Sequence, residues 1–119
     1  MKVLVCGGRD FRNRKLAFAA LDQLDKEYKF TVVIDGMANG ADEFGFDWAL
    51  SRGVVTERYA ADWTTYGRSA GPIRNKEMLV KGVPDIVVAF PGGAGTASMI
   101  KQAEAAGVLV KRILVTRKP

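Results

Sequence analysis

Short β-branched apolar runs alternate along this chain with longer stretches in which apolar residues recur every three or four positions. Lys2–Cys6 reads as a first strand, and Arg12–Tyr28 as a helix with Ala17, Leu21, Leu24 and Tyr28 on one face. Phe30–Ile34 is a second strand. A second helix is predicted over Ala41–Arg52, striped by Ala41, Phe44 and Trp48 and ended by Gly53. Val54–Tyr59 carries more polar residues and reads as an edge strand. A loop containing Trp63, Tyr66 and Gly71–Pro72 leads to a third helix, about Ile73–Lys81. Ile86–Phe90 is apolar on both faces, as a central parallel strand must be. A fourth helix over about Thr96–Ala106 is closed by Gly107, and Arg112–Val115 is the fifth strand.

This strict alternation predicts an α/β fold, a three-layer α/β/α sandwich on a five-stranded parallel sheet. Right-handed crossovers leave few topologies, and the expected strand order is 3-2-1-4-5. Chain progression then reverses between strands one and four, the place where open α/β sheets bind ligands.

Composition narrows the chemistry. The 119 residues suit one domain over 1–119, and 48% are hydrophobic, enough for a core. The single cysteine, Cys6, rules out an internal disulfide, fits a reducing compartment, and sits in an apolar run as a small buried hydrophobe would. There is no histidine, which excludes Ser-His-Asp and Cys-His machinery and His-based zinc sites. Acid–base work would fall to Asp, Glu, Lys or Tyr; no metal and no cofactor are expected. No apolar stretch approaches membrane-spanning length, and MKVLVCGG is too short for a signal peptide, so a cytoplasmic protein with no membrane contact is expected. The net charge of +5 favours anionic partners. Apart from the Lys111–Arg112 and Arg117–Lys118 pairs, however, the basic residues are scattered, and most read as solvated surface.

Three glycine-rich loops follow strands one, two and four. In Gly7-Gly8-Arg9-Asp10-Phe11, the glycines would let backbone N–H groups approach a ligand. Arg9 could pair with a phosphate, and Asp10 could accept from a ribose hydroxyl or hold Arg9. The ordinary alternative is a tight turn with a surface Arg–Asp pair. The second loop is Asp35-Gly36-Met37-Ala38-Asn39-Gly40-Ala41-Asp42. Asn39 is a candidate cap of the second helix with Asp42 in its first turn. Asp35 ends a buried strand, where a carboxylate needs a partner. The third, Pro91-Gly92-Gly93-Ala94-Gly95-Thr96, joins a buried strand to a helix N-terminus, where free amides and the dipole favour an anion. Thr96 would either cap that helix or donate its hydroxyl to phosphate; close packing alone is the other explanation of the glycines. Arg68 and Arg74 bracket the start of the third helix. Arg74 and Asn75 are expected in its first turn, where a cation opposes the dipole unless an anion compensates. Trp63 and Tyr66 would stack on a base or pack as a lid.

With PGGAGT the pattern resembles the SLOG superfamily, which includes the lonely-guy phosphoribohydrolases and the DNA-processing protein DprA. Its YspA-like, YpsA-related branch is the nearest likeness. The matching pieces are Gly7–Phe11, Asp35–Ala38 with Gly40–Asp42, Ala61–Trp63, Ala70–Pro72 leading to Arg74, Asn75 and Met78, and Phe90–Thr96. The resemblance implies a Rossmann-like fold binding nucleotides or nucleotide-derived ligands. In the phosphoribohydrolases an Arg of an R-K-x-x-M motif and a Glu soon after PGGxGT cleave the N-glycosidic bond. Here Arg74 and Met78 keep the first motif, with Asn75 in place of the lysine. Ala97, Ser98 and Met99 stand where the glutamates would be.

The expectation is therefore a nucleotide-binding domain, in the manner of a sensor, with Gly92–Thr96 amides on phosphate, Arg9 and Arg74 neutralising it, and Asp35 and Asp42 orienting ribose or loops. The binding set comprises Gly7, Gly8, Arg9, Asp10, Asp35, Gly36, Ala38, Gly40, Ala41, Asp42, Arg74, Asn75, Pro91, Gly92, Gly93, Gly95 and Thr96. The alternative is a phosphoribohydrolase-like N-glycosidase, with Arg74, Asp35 and Glu77 as catalytic candidates and Asp10, Asp35, Asp42 or Glu77 as substitutes for the missing carboxylate. A third reading, single-stranded nucleic-acid binding, lacks a long basic stripe. Relatives of this kind pair through helices beside the pocket, so a homodimer is expected; Met78, Leu79, Met99 and Ile100 would supply its apolar patch, and core packing explains them equally well.

Overall fold

The structure, a computed structural model, describes residues 1–114. Its elements are β1 (Lys2–Cys6), α1 (Arg14–Tyr28), β2 (Val32–Asp35), α2 (Ala41–Arg52), β3 (Val55–Arg58), α3 (Trp63–Tyr66), α4 (Ala70–Gly82), β4 (Ile86–Ala89), α5 (Ala94–Ala105) and β5 (Leu109–Arg112), with a 3-10 turn over Gly67–Ser69. The sheet is wholly parallel in the order β3-β2-β1-β4-β5, a Rossmann-like α/β fold. Val3 sits between Val33 and Ile86, so β1 is paired on both sides.

Because successive strand residues face opposite ways, β1, β2 and β4 feed two cores. Val3, Val5, Val33, Ile86 and Val88 meet α1 and α2 through Ala17, Leu21, Trp48 and Ala49. Leu4, Cys6, Ile34, Val87 and Ala89 meet α4 and α5 through Met78, Met99 and Ala103. Of the two readings of Met78, Leu79, Met99 and Ile100, core packing holds: Met78 and Met99 are buried, and Leu79 and Ile100 pack against that core. The exposed apolar side chains of α4 are instead Ile73 and Val80.

Several boundaries move for local reasons. α1 starts at Arg14 because Asn13 caps it, its Oδ1 accepting the Leu16 N–H at 3.0 Å. Phe30 precedes β2, its N–H given to Asp25 Oδ1 at 2.8 Å. α4 begins at Ala70, three residues before the expected Ile73, since Pro72 falls in a first turn that needs no N–H from it. The Trp63–Tyr66 segment is helical, capped by Asp62 on Thr65 N–H at 3.1 Å. The fifth strand is Leu109–Arg112 rather than Arg112–Val115. Gly107, at φ 74°, and the Val108 N–H bonded to Ala103 O at 2.9 Å turn the chain early onto the sheet edge. Val115, Arg117 and Lys118 lie outside the described residues. Among the described residues no helix is long and apolar enough to cross a membrane.

Candidate functional site

The glycine loops after β1, β2 and β4 meet backbone to backbone. Gly8 N–H donates to Pro91 O at 2.9 Å, and Gly8 O accepts the N–H groups of Phe11 (3.2 Å) and Ala41 (3.3 Å). A Cβ on Gly7 would lie 2.5 Å from that of Ala41, and one on Gly8 2.9 Å from Pro91 O. A Cβ on Gly40 would strike Gly8 O, and one on Gly92 would strike the Thr96 hydroxyl. These four glycines are required by packing. Gly93 and Gly95 differ: nothing lies within 4 Å of a Cβ at either.

The open glycines belong to the start of α5. Its N-cap is Gly93, no side chain caps it, and no acid occupies its first turn. The leading amides therefore keep their donors and the positive end of the dipole. Thr96 is the third helical residue, folded against Gly92, and does not cap. Asn39 likewise is not the cap of α2; Gly40 holds that position without a side-chain bond.

A cleft of about 480 Å³ opens in front of α5, at the switch between β1 and β4. α4 supplies its guanidinium. Arg74 lies flat on Gly36, Nη1 donating to Gly36 O at 2.6 Å and Nε to Asn75 Oδ1 at 3.3 Å. Buried Asn75 passes the connection on, Nδ2 donating to Gly95 O at 3.3 Å. Since α4 starts at Ala70, Arg74 stands in its second turn, where the expected conflict with the dipole is weak. Arg9 lies 5.4 Å from the centroid of the Trp63 ring at the mouth of the cleft and makes no ion pair with Asp10 among the described residues.

Two carboxylates of the second loop have different surroundings. Asp35 is fully buried, held by Arg58 Nε at 3.1 and 3.2 Å and by Met37 N–H at 2.8 Å. Burial still outweighs these bonds and raises its pKa. Arg58 in turn lies 3.7 Å from the centroid of the Phe46 ring. Asp42, 5% exposed, takes the N–H groups of Gly36 (2.9 Å) and Ala38 (3.5 Å) on Oδ2. Burial first, then the nearby Asp35 charge, push its pKa up to about 6.

Of the expected residues, Gly7, Gly8, Arg9, Ala38, Asp42, Arg74, Asn75, Gly93, Gly95 and Thr96 line this cleft. Gly36 lines an adjoining recess of about 270 Å³ with Arg9, Trp63 and Arg74. Gly40 and Ala41 pack behind Gly8, and Asp35 is buried away from the opening. Asp10, Pro91 and Gly92 open to the other side of the loops, with Phe11 and Arg112. Glu77 lies on α4 with Lys81, 3.7 Å away. Arg68 and Ser98, noted in the sequence but outside the expected binding set, line the cleft, and Arg58, which partners Asp35, was not anticipated. Position offered one signal for Arg58: it is the last residue of the strand beside β2, in register with Asp35.

Fold and cleft together define a doubly wound parallel α/β domain with its glycine loops gathered at the switch point. Residues 1–66 match the YspA, cpYpsA-related SLOG family, a span that covers the first two glycine loops. The chain is also 36% identical to the Gene 61 protein of Mycobacterium phage D29, over 92% of this chain and 93% of that one. The chain belongs to this SLOG family, which points to a nucleotide-related function in general.

Proposed function

We propose that the cleft binds a phosphate-bearing, nucleotide-derived ligand, as a sensor domain would. The observation that carries this is the uncapped start of α5, with Gly93 and Gly95 open, facing a cleft that also receives Arg9, Arg68 and Arg74. Amides, dipole and guanidinium groups all favour an anion there. Exposed Trp63 at the mouth offers a flat apolar surface for a base.

Thermal-shift and calorimetric titration with inorganic phosphate, nucleoside mono-, di- and triphosphates, dinucleotides and a single-stranded oligonucleotide tests the reading. A nucleotide should raise the melting temperature. Gly95→Asp should abolish that response while the unliganded protein melts no lower, because an acid in the first turn suits the dipole and Gly95 has room for it. No response of the natural protein to any phosphate compound would sink the proposal.

The second reading, an N-glycosidase, draws on Asp42, a carboxylate lining the cleft, which α5 faces with Ser98 and Met99 and no acid. Release of free base from nucleoside 5′-monophosphates, lost in Arg74→Ala, would support it; binding without release would exclude it.

A further inference from the structure

Asp42 is in the first turn of α2, and its side chain is the one buried carboxylate that lines the cleft among the described residues. Its Oδ2 is occupied by the N–H groups of Gly36 and Ala38. Among the described residues no donor reaches Oδ1, and the remaining 5% of the residue's surface opens on the cleft. No fully buried side-chain oxygen or nitrogen among the described residues lacks a partner, so Oδ1 keeps accessible surface and is an acceptor open to the cleft. Arg74 is the natural partner, yet it does not take the role. Its Nη1 and Nε are committed to Gly36 O and Asn75 Oδ1, and no ion pair joins it to Asp42. Asp42 Oδ1 and Arg74 Nη2 are thus left without a hydrogen-bond partner among the described residues, and both residues line the cleft.

We propose that Asp42 recognises a sugar hydroxyl of the ligand, so that the cleft selects ribose-bearing phosphates over their deoxy counterparts. This rests on the phosphate-binding reading above. The donor that completes Oδ1 must be neutral, because Arg9, Arg68, Arg74 and the start of α5 oppose a cation. Around Asp42 the walls are small, Gly7, Gly8 and Ala38, whereas the aromatic surface lies at the mouth with Trp63. Sugar hydroxyls, which stand between phosphate and base, fit the inner position, and the base fits the outer one. Above about pH 6 the carboxyl is ionised and only accepts hydrogen bonds, which suits a hydroxyl donor.

Base-free probes test this without knowledge of the base: inorganic phosphate, methyl ribofuranoside 5-phosphate and its 2,3-dideoxy analogue, titrated at pH 7.5 and followed by amide chemical shifts. The natural protein should bind the diol at least about tenfold more tightly than the dideoxy form, the worth of one hydrogen bond to a charged acceptor. In Asp42→Asn the amide oxygen can still accept from Gly36 and Ala38, and the preference should fall below about threefold. Inorganic phosphate should meanwhile bind that variant more tightly, since a negative charge has left the cleft. Equal binding of diol and dideoxy forms by the natural protein overturns the assignment, whether or not the variant folds. So does an undiminished preference in the variant. If phosphate binds and the diol preference is absent, only the role of Asp42 falls. If neither phosphate nor either sugar phosphate binds, the parent reading falls and this one with it.

Discussion

Replacing Asp42 by Asn should stabilise the protein, and by an amount that depends on pH. Burial and the adjacent Asp35 move the carboxyl from 3.8 to about 6, disfavouring its charged form by about 3 kcal/mol, at about 1.36 kcal/mol per pH unit. The folded state holds this proton more tightly than the unfolded chain does. The group's contribution to stability is therefore full below about pH 4 and is lost as pH rises through about 6. Asn keeps an oxygen for the Gly36 and Ala38 N–H groups and carries no charge. Arg74 loses an attractive neighbour when the charge is removed, so about 3 kcal/mol is an upper bound. Asp42→Asn should then be about 2–3 kcal/mol more stable at pH 7.5, close to 10 °C in melting temperature for a domain of this size, and equal to the natural protein near pH 4. Urea unfolding at the two pH values, followed by far-ultraviolet circular dichroism, measures the gap. A variant no more stable at pH 7.5, or a gap that ignores pH, would refute the reasoning, because it would mean that the folded site does not resist the carboxylate.

Arg58→Ala leaves the fully buried Asp35 without its cation and should cost about 2–4 kcal/mol at pH 7.5, with part regained near pH 4; urea unfolding reads both, and a loss under about 1 kcal/mol would contradict the pairing. Gly8→Ala drives a methyl into Pro91 O and Gly92 and should cost about 1–3 kcal/mol in thermal unfolding, whereas Gly93→Ala, with open space, should melt within a few tenths of the natural protein; equal effects would contradict the packing account. Trp63→Ala should leave the melting temperature within about 2 °C, because the ring is half exposed, and should weaken nucleotide binding by about tenfold while inorganic phosphate binding is unchanged; calorimetry with both probes checks it.

Element types and strand order were legible from periodicity. β1 and β4 read as apolar runs because both of their faces are covered, and β3 read as an edge because its faces are half-buried. The gathering of the three glycine loops followed from topology, since parallel strands send all their carboxyl ends to one side. The roles of individual polar residues were less legible. Asn39 and Thr96 have the right identities for helix caps, yet glycines hold both cap positions. Asp35 and Asp42 were both expected to orient ribose or loops. Arg58, arriving from β3, commits Asp35 to structure, while Asp42 receives only backbone N–H groups and keeps an oxygen for the cleft. The Asp42 contacts are local, whereas the partner of Asp35 lies 23 residues away and arrives only through strand pairing.

The local order of residues was enough to specify the first four strands, the existence of a fifth, and the major helices, because periodicity acts over one or two turns of chain. It could not tell Gly7, Gly8, Gly40 and Gly92 from Gly93 and Gly95. The first four are packed against atoms of other loops, and the last two face open space. That distinction arises only when chain segments distant in sequence come within van der Waals reach, since steric exclusion depends on distance in space and not on separation along the chain.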